Sequence, residues 1–258
     1  MKSKLSVVVL TKNCERELGQ ALPSLSFCDE IIVIDDHSTD DTIVIAKSHD
    51  AIVYQKELDD NFALQRNYGL RKATGEWVLY VDSDEVVSKE LAREIEETIS
   101  KETEHKTYEG FYIKRRDIQF GKLLKFGETG STRLLRLGRK ESGVWDRAVH
   151  EVWQIKGALG ELQNPLLHYP HATVAEFISE INRYSTINAR VLLREGKHSS
   201  FVMIILYPLG KFLHNYFWKL GILDGTAGFM VAICMSFHSF LTRARMYLIE
   251  ETDGISRI

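Results

Sequence analysis

EIIVIDDHSTDD (residues 30–41) and WVLYVDSDE (77–85) are the two stretches of sequence that decide the fold. In each stretch an apolar run ends at a group of carboxylates. LSVVVL (5–10) is a similar run, and residues 52–54 form a shorter one. Runs that are apolar on nearly every residue are typical of strands covered on both faces, as in a parallel sheet.

Helical patterns lie between these predicted strands. Leu18 and Leu22 are four residues apart, and Pro23 then limits or bends that helix. Ser88 suits the N-cap of a second helix. Its apolar face is formed by Leu91, Ala92, Ile95 and Ile99. Strands and helices that alternate at this spacing predict an α/β fold with an open, mostly parallel sheet and right-handed crossovers.

The pattern changes after about residue 108, where short β-like pieces at 111–114 and 132–137 are separated by glycines. Thr173 and Glu176 have the spacing of a capping box, which predicts a helix from there to Gly196. We expect one side of this helix to be lined by Phe177, Ile181, Tyr184 and Asn188. The predicted catalytic domain spans 1–196, with halves at 1–107 and 108–172 and a closing helix at 173–196.

The remaining residues, 197–258, predict an apolar and basic helical extension. Residues 199–210 and 225–242 carry no charge, but both are shorter than the roughly 20 apolar residues of a membrane-spanning helix. Between Lys197 and Tyr247, five Lys or Arg stand against one acid, and aromatic residues are interleaved with them. This mixture favours helices that lie on an anionic membrane surface. A hairpin buried against the first domain is the alternative.

Composition excludes several classes of protein. A net charge of −3 argues against a general nucleic-acid-binding protein, which would carry a basic excess. The three cysteines form no C-x-x-C pair, so neither a disulfide framework nor a zinc ribbon is expected, and a reducing compartment fits best. The apolar stretch near the N-terminus is too short for the core of a signal peptide. We therefore expect a cytoplasmic location.

Acidic residues gather where the predicted strands end. Asp35 and Asp36 follow one strand, and Asp82 and Asp84 follow another. In an open α/β sheet, ligands bind outside the carboxyl ends of the strands. Like charges held close repel each other, so two such groups suggest a bound cation or a hydrogen-bond donor. Carboxylates prefer Mg²⁺ or Mn²⁺ to zinc. Taken singly, each group has a plainer explanation, because Asp also caps turns and helices.

The motifs LSVVVLTKNCE (5–15), EIIVIDDHSTDDT (30–42) and FALQRNYGLRKATGEWVLYVDSDE (62–85) resemble the family 2 nucleotide-sugar glycosyltransferases, which have the GT-A fold. Weaker similarity continues through VWDRAVHEVW (144–153). Within the family, the sequence is most similar to bacterial β-glucosyltransferases that extend the inner core of lipopolysaccharide. The resemblance makes 1–107 the nucleotide-binding half and 108–172 the acceptor half.

The resemblance also implies roles for residues of the nucleotide-binding half. Thr11 and Glu15 would frame the uridine. Asp36 would accept the imide N–H of uracil, and Arg66 would lie near the base or the phosphates of the donor. Asp82 would approach the ribose or the sugar.

Two further roles concern the metal ion and the base. Asp84 would bind the Mg²⁺ or Mn²⁺ ion that bridges the diphosphate, with His168 or His171 as a further ligand. Glu151, with Asp146 as the rival, would take the proton of the attacking hydroxyl. One base and no nucleophilic carboxylate imply direct displacement, so that an α-linked UDP-sugar gives a β-linked product.

The acceptor is inferred from the distribution of charge together with the resemblance. Residues 114–147 hold ten Lys or Arg and four acids, which suits a phosphorylated glycolipid, although a solvated charged face is the alternative. The basic extension also suits a membrane-anchored acceptor, and this agrees with what the resemblance implies: UDP-glucose as donor, a lipopolysaccharide core sugar as acceptor, and a peripheral position on the cytoplasmic face of the inner membrane. Polyprenyl phosphate, another polysaccharide or a peptide are alternative acceptors. A Mg²⁺-binding, receiver-like signalling domain is the non-enzyme alternative.

Overall fold

The computed structural model describes residues 4–59, 61–105, 107–128, 130, 132–147, 151–171 and 173–255. The chain forms two compact units. Unit 1 comprises residues 1–116 and 132–169, and unit 2 comprises residues 117–131 and 170–258. The predicted boundary between residues 196 and 197 stays a prediction.

Twelve strands and seven α-helices are found in the described residues. The strands are β1 (Leu5–Thr11), β2 (Glu30–Asp35), β3 (Ile52–Gln55), β4 (Trp77–Asp82), β5 (Glu85–Val87), β6 (Gly110–Gln119), β7 (Lys122–Leu123), β8 (Arg133–Arg139), β9 (Gly143–Asp146), β10 (Val152–Ile155), β11 (Leu159–Glu161) and β12 (Leu166–His168). The helices are α1 (Glu15–Ala21), α2 (Thr42–Ser48), α3 (Phe62–Lys72), α4 (Lys89–His105), α5 (Val174–Arg194), α6 (Phe201–Leu213) and α7 (Gly225–Ile255).

Four parallel strands form the first half of the main sheet, in the order β3-β2-β1-β4. Val7 and Val9 on β1 pack with residues of α1 and α4, whereas Val8 packs with residues of α3. Successive side chains of a strand point to opposite faces, so β1 is covered on both sides, and all three valines are inaccessible to solvent. The prediction of doubly covered strands is confirmed for β1, β2 and β4, whereas β3 is partly exposed.

Glycine allows α3 to approach β1 closely. A Cβ added at Gly69 would lie 2.4 Å from Cγ1 of Val8, closer than two carbon atoms can approach without a clash. The backbone of α3 therefore packs directly against the sheet. This close packing fixes the distance of the other α3 residues from the sheet.

The second half of the sheet is mainly antiparallel. β8 pairs antiparallel with both β4 and β6, and β12 pairs antiparallel with β5. β9 and β10 form a separate two-stranded ribbon. The strands predicted at 111–114 and 132–137 are confirmed as parts of β6 and β8. The predicted α/β class is confirmed. The four consecutive parallel strands lie in the half that carries the acidic strand ends, and β11 pairs parallel with β6 in the other half.

The helix boundaries predicted in unit 1 are also confirmed. The Ser88 hydroxyl accepts a hydrogen bond from the N–H of Leu91 (3.1 Å) and caps α4, whose buried residues include Leu91, Ile95 and Ile99. α1 ends at Ala21, and the chain continues as a short 3₁₀ turn that contains Pro23.

Unit 2 contains the three C-terminal helices. The capping box of Thr173 and Glu176 is present at the start of α5. The buried side of α5 was predicted incorrectly after Ile181. Its next buried residues are Ser185 and Ala189, not the predicted Tyr184 and Asn188, and Tyr184 is exposed. The four buried residues of α5, beginning with Phe177, follow one another at intervals of four. Residues at this interval lie on one side of a helix with 3.6 residues per turn.

The apolar helices α6 and α7 pack against each other within unit 2. α6 has no buried residue. The segment Gly221–Thr252 is long and apolar enough to cross a membrane by length and composition alone, and one third of its most apolar window is buried in the protein. The helix therefore exceeds the length expected from residues 225–242, because it continues beyond Thr242 into a charged segment.

Candidate active site

The two acidic strand ends lie at the same edge of the sheet in unit 1. β1 runs between β2 and β4, and its last residues pair with Asp35 on one side and Asp82 on the other. Neighbouring strands are about 4.8 Å apart, so the ends of β2 and β4 are roughly 10 Å from each other. This spacing leaves room for a ligand above the end of β1.

Asp35 shapes the loop after β2. Its buried carboxylate accepts hydrogen bonds from the hydroxyl of Thr11 (3.1 Å) and from both the N–H (2.9 Å) and the hydroxyl of Ser38. The hydroxyl of Thr11, predicted to frame the uridine, is therefore engaged with Asp35. Asp35 acts as the acceptor that organises this turn.

Asp36 and Glu15 stand beside this turn. The carboxylate of Asp36 accepts from the N–H of Leu58 (3.1 Å) and lies 3.5 Å from the ammonium group of Lys12. Glu15 accepts from the N–H of Asp41 (3.0 Å). The structure therefore brings together the three residues predicted around the uridine, Thr11, Glu15 and Asp36, at the ends of β1 and β2.

Asp82 is held between two arginines. Arg66 on α3 donates from Nη2 to Oδ1 (2.8 Å), while Arg136 on β8 donates from Nη1 to Oδ1 (3.3 Å) and from Nη2 to Oδ2. The arginine side chains are only 5% and 6% exposed, and that of Asp82 is 30% exposed. Both oxygens of Asp82 are thus bound by cations that the fold buries.

Arg66 also binds Glu151. Its Nε donates to Oε1 of Glu151 (2.8 Å), so one guanidinium joins Glu151 to Asp82. The same group lies 4.8 Å from the centre of the Trp145 ring and 5.7 Å from that of Tyr80, which fixes its plane. Arg66 was predicted near the base or the phosphates of the donor, and the structure places it between these two carboxylates.

Asp146, the rival base, points elsewhere. Trp145 faces Arg66, and alternation along β9 directs the next side chain, Asp146, to the opposite side. The exposed Asp146 accepts from the N–H of Arg147 (2.8 Å). The geometry favours Glu151 over Asp146. His150, in the same predicted motif, lies outside the described residues.

Glu85 completes a buried group of charges. Its Oε2 accepts from the N–H of Asp82 (2.9 Å), and its Oε1 lies 3.4 Å from Arg136. Burial raises the pKa of Glu85, although Arg136 opposes the shift. Burial would also raise the pKa of Asp82, but Arg136 and Arg66 outweigh it and hold that pKa far below its usual range. Asp82 is therefore ionised at neutral pH.

Asp84 and His168 are neighbours, as predicted for the metal site. Oδ2 of Asp84 lies 3.2 Å from Nε2 of His168, because antiparallel pairing sets His168 on β12 opposite Glu85 on β5. Among the described residues, no three His, Cys, Asp or Glu side chains gather closely enough to hold a metal ion. One oxygen and one nitrogen ligand still suit Mg²⁺ or Mn²⁺, which take their other ligands from substrate phosphates and water.

His171, the alternative metal ligand, has its described contacts within unit 2. Its ring stacks on Phe177 with 4.5 Å between ring centres, and its Nε2 lies 3.8 Å from Glu180. These contacts explain His171 as a packing residue at the start of α5. His168 is therefore the better candidate ligand.

Sequence reasoning did not single out Arg136 or Glu85. Arg136 was counted within the basic segment 114–147, and Glu85 was quoted only as part of a motif. No local signal was available for Arg136, because alternation along a predicted strand directs an arginine between two leucines to the opposite face, which is typical of an exposed residue. Once buried, an arginine needs a carboxylate partner. The identity of that partner depends on strand order, which the sequence does not reveal locally.

Fewer cations of the basic segment 114–147 are unpaired than its composition suggests. Lys114 and Arg133 both pair with Glu161, and Arg139 pairs with Glu76. Together with Arg136, at least four of its ten cations have carboxylate partners. The remaining excess positive charge is correspondingly smaller.

Comparison with known proteins identifies the family. Residues 6–146 match the sequence profile of glycosyl transferase family 2. The chain is 30% identical over 257 residues to the lipopolysaccharide core biosynthesis glycosyltransferase LpsC of Rhizobium meliloti, which covers 95% of this chain and 93% of LpsC. The chain belongs to glycosyl transferase family 2. The resemblance drawn from the motifs is thereby confirmed, and membership of family 2 favours the enzyme over the receiver-like signalling domain.

Solved structures are also similar to this family 2 glycosyltransferase. The 1–349 fragment of Staphylococcus aureus TarS is 20% identical, with a TM-score of 0.48, and the match covers 72% of this chain and 65% of that one. Glucosyl-3-phosphoglycerate synthase from Mycobacterium tuberculosis, solved with Mn²⁺, UDP and glucosyl-3-phosphoglycerate, is 21% identical with a TM-score of 0.36, over 45% of this chain and 44% of that one. Those ligands belong to those proteins.

Proposed function

We propose that this glycosyltransferase transfers glucose from UDP-glucose to a hydroxyl of a lipopolysaccharide inner-core sugar, with inversion to a β linkage. The near full-length similarity to LpsC supports this class of acceptor. The observation that carries the proposed chemistry is the single guanidinium of Arg66, which joins Glu151 to Asp82 of the D-x-D motif. A candidate base thus stands next to the candidate sugar site.

The donor would bind at the common edge of β1, β2 and β4. Asp36 has the acceptor oxygens that the imide N–H of uracil requires, and Thr11 and Glu15 stand beside it. Asp84 and His168 would hold the metal ion, whose positive charge offsets the negative charge that grows on the departing UDP. Asp82, fixed by two arginines, would stand near the sugar.

Glu151 would act as the base. A sugar hydroxyl is a weak acid, so a positioned carboxylate takes its proton while the oxygen bonds to C1 of the donor and the bond from C1 to UDP breaks. Attack from the face opposite UDP inverts the configuration at C1. Arg66 orients Glu151 in this role, because its Nε already donates to Oε1.

Assay of UDP release from purified protein tests the donor, the acceptor and the metal together. We expect turnover with UDP-glucose, Mg²⁺ or Mn²⁺ and a truncated core acceptor, and its loss on chelation. UDP-galactose, UDP-N-acetylglucosamine and acceptors of the other classes (polyprenyl phosphate, another polysaccharide, peptide) form the comparison panel. Turnover with only another sugar nucleotide would refute the donor, and turnover with only another acceptor would refute the core sugar.

The variant Glu151→Gln tests the base. Loss of general base catalysis should lower kcat by about 10²–10⁴-fold while UDP binding, measured by calorimetry, is kept. Asp146→Asn is the matched control and should keep most of the turnover, because Asp146 faces away from Arg66. Full activity of Glu151→Gln would mean that another group is the base.

We further propose that unit 2 contacts the cytoplasmic face of an anionic membrane. Exposed apolar residues of α6 and of the helical turn that follows it form a surface that we call the α6 face. Its residues are Val202, Leu206, Leu209, Leu213, Phe217 and Trp218. Trp218 is 82% exposed, which is unusual for a tryptophan without a binding partner. Lys219, next to Trp218, supplies positive charge on the same segment, whereas Lys211 is paired with Glu128 (2.6 Å). Apolar and basic residues together are typical of helices that lie in a membrane interface.

Sedimentation with lipid vesicles tests this contact. Binding should be stronger to vesicles with anionic lipids than to zwitterionic ones, and Trp218→Ser should weaken it several-fold without lowering the melting temperature. Val44→Ser, at an exposed apolar position on α2 in unit 1, is the control and should leave binding unchanged. Equal binding of the Trp218→Ser variant would contradict the proposal.

A further inference from the structure

Arg136 binds Asp82 from the point of β8 where its pairing with β6 changes register. It lies between Leu135 and Leu137 on β8, and its two leucine neighbours pair with β6 and β4. Its Nε is buried and finds no hydrogen-bond partner among the described residues, so its polar contacts come from the two terminal nitrogens, which reach Asp82 and Glu85. None of these contacts needs a substrate.

The contacts of Arg136 continue through Asp82 to Arg66. Oδ1 of Asp82 accepts from both arginines, at 2.8 Å from Arg66 Nη2 and 3.3 Å from Arg136 Nη1. Oδ2 is taken by Arg136 alone in the described contacts. Arg66 is thereby limited to one oxygen of Asp82, and its Nε is left to donate to Glu151 (2.8 Å).

We propose that Arg136 is a positioning residue that acts through Asp82 and Arg66 to hold Glu151 in place. The inference rests on the proposed role of Glu151 as base. The physical reason is the preference of a guanidinium for both oxygens of a carboxylate. If Arg136 releases Oδ2, the guanidinium of Arg66 turns so that its Nη1, which is buried without a hydrogen-bond partner among the described residues, reaches Oδ2, and this rotation moves Nε away from Glu151.

Arg136→Lys is the most direct variant. Lysine keeps the buried positive charge that Asp82 and Glu85 require but supplies a single point of contact instead of a fork. We expect kcat to fall about 10- to 100-fold, since a small displacement of a catalytic group has effects of that size. The KM for UDP-glucose should change less than about threefold, because the base does not bind the donor.

Arg133→Lys is the matched control on the same strand. Its side chain is 60% exposed and pairs with Glu161, and none of its described contacts is with Asp82. It should keep kcat within about twofold of wild type, because exposed ion pairs contribute little. Arg136→Gln leaves Glu85 without its cation and Asp82 with Arg66 alone, and is expected to fold poorly, so it is not the test.

A double-mutant cycle separates positioning from a general structural role. If Arg136 acts through Glu151, Arg136→Lys should have no further effect on kcat in the Glu151→Gln background. If it merely supports the fold, the two losses should multiply, and that result would overturn the inference.

A crystal structure of Arg136→Lys provides a readout that does not depend on turnover. Loss of the contact between Arg66 Nε and Glu151 would support the inference, and an unchanged contact would overturn it. Full activity of Glu151→Gln, or no turnover of any sugar nucleotide by the wild type, would refute the proposed function instead, and the crystal structure would still decide whether Arg136 positions Glu151.

Discussion

The ends of β2 and β4 carry similar acidic sequences but bind different partners. Asp35 accepts hydrogen bonds from the neutral groups of Thr11, the last residue of the neighbouring strand β1, and of Ser38, in the loop that follows β2. Asp82 binds two arginines that lie 16 and 54 residues away along the chain. The carboxylate at the first end is therefore held by neutral hydrogen-bond donors, and the carboxylate at the second end is held by buried cations.

In the proposed function, this difference separates the strand end that binds the donor from the strand end that carries the reaction. Neutral donors fix the shape of a loop and leave the local charge negative. Buried cations fix charged groups in one place, and they also tie β4 to α3, to β8 and to the segment before β10. We therefore expect substitutions at the end of β4 to change turnover and stability strongly, and substitutions at the end of β2 to change donor affinity or local stability more weakly.

The largest effect is expected for Asp84→Ala. Removal of the candidate metal ligand should lower metal-dependent turnover by about 10²–10³-fold, because the departing UDP loses the cation that offsets its charge. Kinetics over a range of Mn²⁺ concentrations measure this, and higher Mn²⁺ should restore part of the rate. Asp41→Asn, an exposed acid at the other strand end, is the control. Equal losses in both variants would remove the contrast between the two ends.

Asp82→Asn should have the next largest effect, on stability. Two buried guanidinium groups would lose their shared carboxylate, at a cost of about 3 kcal/mol in the free energy of unfolding. Urea unfolding at pH 7 measures the difference. Arg133→Gln, which breaks an exposed pair with Glu161, should cost much less. A difference near zero for Asp82→Asn would mean that the arginines find other partners.

The stability difference for Asp82→Asn should also depend on pH. The pKa of Asp82 is lowered on folding, so its stabilising contribution is fully present above the unfolded pKa of about 3.9 and declines as pH falls further. The gap between wild type and variant should therefore be constant from about pH 6 to pH 8 and narrow below about pH 4. A gap that does not narrow in acid would contradict the paired charge.

Asp36→Ala should have a smaller effect, on donor affinity. Loss of the acceptor proposed for the imide N–H of uracil should weaken UDP binding about tenfold. Calorimetry measures this, and UDP methylated at N3 provides the matched ligand, because it lacks that N–H. The variant and the wild type should bind methylated UDP equally. A tenfold loss with both ligands would place Asp36 outside the uracil contact.

Asp35→Asn is expected to have the smallest effect. The amide oxygen still accepts from the neutral donors around it, but the amide nitrogen meets donors, so the cost in stability should be about 1 kcal/mol. UDP binding should stay within about twofold of wild type. A loss of stability as large as that of Asp82→Asn would show that the two strand ends do not differ as described.

Local patterns predicted much of the fold. The boundaries of β1, β2 and β4 were predicted to within one residue, because an unbroken apolar run and the acids that follow it both lie in one stretch of chain. The capping box of α5 was visible for the same reason. The acidic residues at both strand ends were identified because they directly follow apolar runs in the sequence.

Non-local features were missed. The partner of Arg136 depends on the antiparallel pairing of β8 with β4, which no neighbouring residue signals. The placement of Arg66 between Asp82 and Glu151 depends on the ribbon of β9 and β10 folding back over α3. The apolar stripe of α5 was misplaced at Tyr184 because residue type was given more weight than helical period.

The close contact between Gly69 and Val8 has a consequence for related chains. Any side chain at position 69 would lift α3 from β1, and Arg66, one turn earlier, would move with it. A related sequence with alanine at position 69 should therefore compensate with a smaller residue at position 8. We expect these two positions to covary among relatives, and an alignment of many family sequences would reveal the paired changes.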